Sequence, residues 1–112
     1  MINIAAEKNF ENKIKDWLKA YGCYHVKFFA NRMTKTGVPD ILASVNGYFV
    51  GIEVKGPNGK PSELQYHNVR QIRKSGGFAY IVYPSGWNDL QNILLGLMKD
   101  EFNRLDEREV LK

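Results

Sequence analysis

Apolar residues at Phe10, Ile14, Trp17, Leu18 and Tyr21 recur at helical spacing until Gly22 interrupts them, which predicts a first helix. An acid lies within this stripe. Glu11 precedes Ile14 by three residues and Leu18 by seven, about 20° from the latter on a helical wheel, so it projects along the apolar face. Glu7, one turn earlier, is a weaker copy of the same placement.

Beyond Gly22 the period shortens to that of a strand. Tyr24 to Phe29 reads as a short strand and the polar, basic stretch Asn31 to Gly37 as a loop. Val38 to Val45 and Tyr48 to Lys55 are β-rich runs separated by Asn46-Gly47, the strongest short hairpin signal. A two-residue turn there fixes the register, with Tyr48 facing Val45, Ile52 facing Ile41 and Glu53 facing Asp40. Strand alternation then gathers Ile41, Ala43, Val45, Tyr48, Val50 and Ile52 on one apolar face. The opposite face carries Asp40, Leu42 and Ser44 beside Phe49, Gly51, Glu53 and Lys55.

Gly56 to Pro61 is a loop, and Ser62-x-x-Gln65 has the form of a capping box that opens a second helix, closed by Gly76-Gly77. Gln65, Val69 and Ile72 share one face of it. Phe78 to Tyr83 is a continuous apolar run, the pattern of a buried strand, and after a helix it can lie parallel to the strand ending at Lys55. Pro84 ends it, and Leu90, Ile93, Leu94, Leu97 and Met98 form the stripe of a third helix. The charged tail from Lys99 is expected to fray. The order is αβββαβα, an α/β fold with a mixed four-stranded sheet flanked by helices.

The 112 residues fit one domain, with a core over about residues 7–98 and a charged tail over 99–112. With 44% apolar residues the chain can bury a core without covalent staples. The single cysteine, Cys23, excludes an intramolecular disulfide and a zinc finger and suits a reducing compartment. Without an apolar run of membrane-spanning length or a signal-peptide pattern, a cytoplasmic location and no membrane partner are expected. The net charge of +4 favours phosphate partners, and its distribution adds to this: from Lys99 onward four basic residues face five acidic ones, which leaves twelve against seven in residues 1–98.

Facing carboxylates repel, so the Asp40–Glu53 pairing requires compensation. A divalent cation supplies it, because Mg²⁺ accepts one or two carboxylates, keeps several waters and leaves room for a phosphate oxygen. Lys55, about 6.5 Å beyond Glu53 on the same face, can orient a water and stabilise charge on a phosphoryl group. Glu11 supplies a further carboxylate if the first helix packs here. Glu-x-Lys on a strand is most often an exposed ion pair, and Pro-Asp a turn. A register derived from the turn alone nevertheless brings Asp40, Glu53 and Lys55 together, and Gly51 leaves space for a ligand backbone above them. Gln65 is explained equally by its cap and by a place in the site.

Lys27, Arg32 and Lys35 precede this group, and Lys60, Arg70, Arg73 and Lys74 follow it, a set of candidate DNA contacts. Backbone amides at Gly37, Gly56 and Gly59 could join them. His25 and His67 stand apart from any nucleophile, Cys23 reads as a small apolar residue, and Tyr66, Tyr83 and Trp87 read as core or rim.

Gly37-Val38-Pro39-Asp40, then Glu53-Val54-Lys55, then Ser62 and Gln65, with Glu11 in the first helix, resembles the VRR-NUC domain of the PD-(D/E)XK nuclease superfamily in its stand-alone phage and bacterial form. The arrangement is also similar to archaeal Holliday junction resolvases, and the likeness runs from about Glu7 to Tyr83. It implies a restriction-endonuclease-like core and a Mg²⁺ or Mn²⁺ held by Asp40, Glu53 and the Val54 carbonyl, with Glu11 beside or among the ligands. It further implies that Lys55 positions or helps deprotonate the attacking water and that Gln65 orients the water or contacts a phosphate. Stand-alone members act as homodimers on four-way junctions.

The expectation is therefore a metal-dependent endonuclease of branched DNA in a bacterial or phage-infected cell. The alternatives are a nuclease of linear, flap or single-stranded DNA, and a DNA-binding module without catalysis.

Overall fold

A computed structural model describes residues 4–29, 35–102 and 108–112. Helix α1 (Ile4–Ala20) leads into strands β1 (Tyr24–Lys27), β2 (Ile41–Val45) and β3 (Tyr48–Val54). Helix α2 (Glu63–Lys74), strand β4 (Phe78–Val82), helix α3 (Trp87–Met98) and strand β5 (Val110–Leu111) follow, with a 3₁₀ turn at Pro84–Gly86 before α3. The strands form one mixed sheet in the order β1-β2-β3-β4-β5. The first three are antiparallel; β4 runs parallel to β3 and β5 parallel to β4.

The hairpin has the register that its turn predicts. Asn46 and Gly47 both take positive φ, 52° and 82°, the backbone of a tight turn whose twist matches the flanking strands. Ile41 pairs with Ile52 and Val45 with Tyr48. The predicted apolar face is the floor of the main core, where Ile41, Val45, Val50 and Ile52 are fully buried beneath Ile14 and Leu18 of α1 and Leu90, Leu94 and Leu97 of α3. Trp87 joins the two helices, its ring edge-on to Phe10 and Trp17. On the other side of the sheet α2 packs Val69 and Ile72 against Ala79, Ile81 and Tyr83. The sheet thus lies between α1 with α3 and α2, and the chemistry-bearing face of β2–β3 is the one that α2 partly covers. Among the described residues no helix is long and apolar enough to cross a membrane.

Two expectations change. Among the described residues the sheet has five strands, because the end of the tail does not fray: Val110 pairs with Ile81 and Leu111 with Val82, and the Tyr83 amide donates to the Leu111 carbonyl at 2.9 Å. The reason lies in β4, where Phe78 to Val82 is buried throughout. A strand with no polar face would make an exposed, apolar sheet edge, and β5 covers it. The space above Gly51 is also filled. A side chain there would meet Ile72 Cδ1 at 3.0 Å and Pro39 Cγ at 3.1 Å, so the glycine admits α2 to the sheet and leaves no ligand channel.

Leu111 is 1% exposed, so Leu111→Ala is expected to cost about 2–5 kcal/mol in urea denaturation. A tail that frayed would tolerate the change without measurable loss.

Candidate active site

The hairpin and the loop before it deliver the acids. Asp40 immediately precedes β2, its carbonyl accepting from the Phe28 amide at 2.8 Å, and its side chain turns to the end of β3, where Oδ2 accepts from the Val54 amide at 2.8 Å. Glu53, only 3% exposed, reaches the same place. Burial first, and then the neighbouring Asp40 carboxylate to which it is hydrogen-bonded, push its carboxyl up to about 9. Lys55 works the other way, with Nζ 3.6 Å from Glu53 Oε2, but does not outweigh them. Lys55 is itself buried, its backbone amide bonded to Val82 O and its stem covered by the Gly56–Gly59 turn.

Gln65 satisfies both of its readings at once. Ser62 and Gln65 form the capping box of α2, with Gln65 Oε1 accepting from the Ser62 amide at 2.9 Å, while its Nε2 donates to Glu53 Oε2 at 3.1 Å. One side chain fixes the start of the helix and one oxygen of the buried acid.

The first-helix acids divide. Glu7 Oε1 accepts from the Gly56 amide at 3.1 Å and ties α1 to the turn after β3. Glu11 is paired with Lys15 at 3.5 Å and, more closely, with Lys27 at 2.6 Å. Lys27, on β1, does not stand with the basic rim: its ammonium lies between Glu11 and Asp40, 3.3 Å from Asp40 Oδ1. Burial works against its charge, but the Glu11 and Asp40 carboxylates together hold it above the ordinary lysine range. The pairing could have signalled the Glu11 contact, because Lys27 sits opposite Ile41 and so projects to the face that α1 covers.

The remaining basic candidates are spread over the surface. Lys35, Lys60 and Lys74 are exposed. Arg70 grips Glu109 through two contacts of 2.9 and 3.1 Å, and Arg73 donates to the carbonyls of Ala79 and Arg108, so both α2 arginines are engaged by the returning C-terminal segment. Arg32 lies outside the described residues. The amides of Gly56 and Gly59 are also spoken for, by Glu7 and by the Gly56 carbonyl, and are not free to cradle a phosphate.

Sequence reasoning missed two positioning groups. Asn68, buried on α2, donates to the carbonyls of Thr36 and Leu64 at 3.1 and 2.8 Å and pins the approach to Asp40. Tyr83 donates its hydroxyl proton to Gly59 O at 2.7 Å, which fastens the turn over Lys55 to β4. An amide on the apolar face of α2 was the available signal for the first; an aromatic in an apolar run gave none for the second. Cys23, with its thiol pushed up by burial, and His25, bonded to the Cys23 carbonyl, take no part.

Asp40 and Glu53 are neighbouring carboxyl groups of the kind that suits a divalent ion, with burial first and then the Asp40 carboxylate raising the Glu53 carboxyl. Among the described residues no three carboxyl, imidazole or thiol groups are placed to hold a metal. Glu11 is turned to its two lysines.

The family model of archaeal Holliday junction resolvases (Hjc) matches residues 4–102. No curated protein and no solved structure matches the chain.

With Glu53 raised from 4.5 to about 9, the folded protein holds a proton through that interval that the unfolded chain has released, so stability falls as pH rises across it. In EDTA the melting temperature of the wild type is expected to decline over this range, and that of Glu53→Gln to decline less. Equal slopes for the two proteins would remove Glu53 as the group responsible.

Proposed function

Because the chain belongs to the archaeal Holliday junction resolvase family, within the PD-(D/E)XK nuclease superfamily, we propose that it cuts four-way DNA junctions by divalent-metal-dependent phosphodiester hydrolysis, as a homodimer. The observation that carries the proposal is the convergence of Asp40, Glu53, Lys55 and Gln65 at the end of β3. The narrower likeness to VRR-NUC domains rests on the spacing of the same residues.

In this reading Asp40 and Glu53 hold Mg²⁺ or Mn²⁺, assisted by the Val54 carbonyl. The ion supplies Lewis acidity, strengthening a water as nucleophile and neutralising charge on the phosphate. Lys55 stands beside Glu53 in a largely buried setting, where an ammonium stabilises developing phosphoryl charge far more than in open water. Gln65 fixes Glu53 Oε2 and so limits the carboxyl to one orientation. Glu11 and Lys27 set the charge balance on the α1 side of the pair. The exposed Lys35, Lys60 and Lys74 contact DNA backbone, with Arg32, Arg70 and Arg73 as further members of the basic surround. The two-fold symmetry of a four-way junction accounts for the dimer: one such site meets one strand, and paired incisions require a second copy.

The test is an end-labelled cleavage assay on a four-way junction and a matched linear duplex, with Mg²⁺, Mn²⁺ or EDTA. The wild type is expected to make paired, metal-dependent cuts on the junction. Glu53→Gln and Lys55→Met should each lose about 100-fold or more in rate while retaining junction binding. Equal cutting of both DNAs would keep the nuclease and discard junction selectivity; no cutting with either metal would favour a binding module. Junction affinity should also fall with rising salt, since phosphate contacts release counterions.

A further inference from the structure

Asp40 uses its two carboxylate oxygens differently. Oδ2 is committed to the Val54 amide at 2.8 Å, a backbone contact that cannot move without opening the end of β3. Oδ1 is held by a side chain, the Lys27 ammonium, at 3.3 Å. Of the two oxygens, Oδ1 is the one a metal ion can claim without disturbing the sheet, and it already carries a cation.

Lys27 is built to give that oxygen up. Its contact with Glu11 Oε1 is shorter, 2.6 Å, so it has a second anchor that survives the loss of Asp40. Its side chain is 24% exposed, more open than Lys55 at 11%, and a lysine carries a point charge on a flexible stem that rotates without a fixed hydrogen-bond pattern. An ammonium and a divalent ion cannot share Oδ1 cheaply, because like charges a few ångströms apart in a half-buried site repel strongly.

We propose that Lys27 is a placeholder cation: it neutralises Asp40 while the metal is absent and withdraws to Glu11 when a divalent ion binds, a role that rests on the metal-dependent reading above. Glu11 is then the tether of the placeholder, in keeping with its contacts to Lys15 and Lys27. Lys27 is a positioning residue that sets metal affinity through Asp40.

The experiment is calorimetric titration of the DNA-free protein with Mn²⁺, comparing wild type, Lys27→Met, Lys27→Arg and Asp40→Asn. Removal of the placeholder should tighten Mn²⁺ binding about tenfold or more in Lys27→Met, while Lys27→Arg, which keeps the charge, stays near wild type. A general loss of structure would weaken binding, so a gain in affinity is specific to the proposal. Should Lys27→Met fail to fold, the ¹⁵N resonance of the Lys27 ammonium in the wild type provides the same test: it should shift on addition of Mg²⁺. Unchanged or weaker Mn²⁺ binding by folded Lys27→Met would overturn the placeholder, and so would an ammonium signal indifferent to Mg²⁺. Wild-type titration with no heat, or with heat that persists in Asp40→Asn, would overturn the metal site itself, and the placeholder with it.

Discussion

The site depends on holding a half-buried Asp40 beside a buried Glu53. Two carboxyl groups so placed repel each other, which adds to burial in pushing the Glu53 carboxyl up to about 9. Backbone register supplies the constraint. The Asn46–Gly47 turn sets Ile41 against Ile52, and the neighbouring positions therefore bring Asp40 to Glu53. The force that locks this register acts on the opposite face, where Ile41, Val45, Val50 and Ile52 are sealed beneath α1 and α3. A one-residue slip would turn those side chains outward and separate the acids in the same step. Core packing and site geometry are thus two faces of one pair of strands.

The partners of the acid pair come from elements that meet only when the fold is complete. Lys27 is on β1, Lys55 at the end of β3, Gln65 in the first turn of α2 and Glu11 on α1. Asn68 and Tyr83 fasten the two loops that border the group. No local segment can assemble this arrangement, so a charge cluster that would destabilise an isolated hairpin becomes tolerable once each member has a fixed neighbour.

The legible part of the fold was local. Asn46-Gly47 gave the hairpin, and the hairpin gave the Asp40, Glu53 and Lys55 face, because a two-residue turn leaves one register. Ser62 and Gln65 gave the start of α2. Features that depend on long-range docking were not legible. Val110-Leu111 is too short to show a period among charges, and only the apolar character of both faces of β4 implied a neighbour there. The filling of the space above Gly51 by Ile72 and Pro39 depends on where α2 lands. Basic residues were read as a surface set from their sequence positions, yet Lys27 belongs to the acid cluster and Arg70 and Arg73 hold the segment just before β5, distinctions that composition does not carry.

The acid cluster is balanced but not satisfied. Lys27 and Lys55 each lie beside an acid, Gln65 adds a neutral donor, and Glu53 still favours protonation over charge. Stability alone would be served better by an arginine paired with one carboxylate, or by apolar residues in place of the group. Burial first, and then the neighbouring Asp40 carboxylate, raise the Glu53 carboxyl, and on the proposed reading a hard divalent cation would offset both while admitting a phosphate oxygen. On the proposed reading, two acids that one ammonium on each side cannot fully neutralise would gain most from an ion that brings two charges at once.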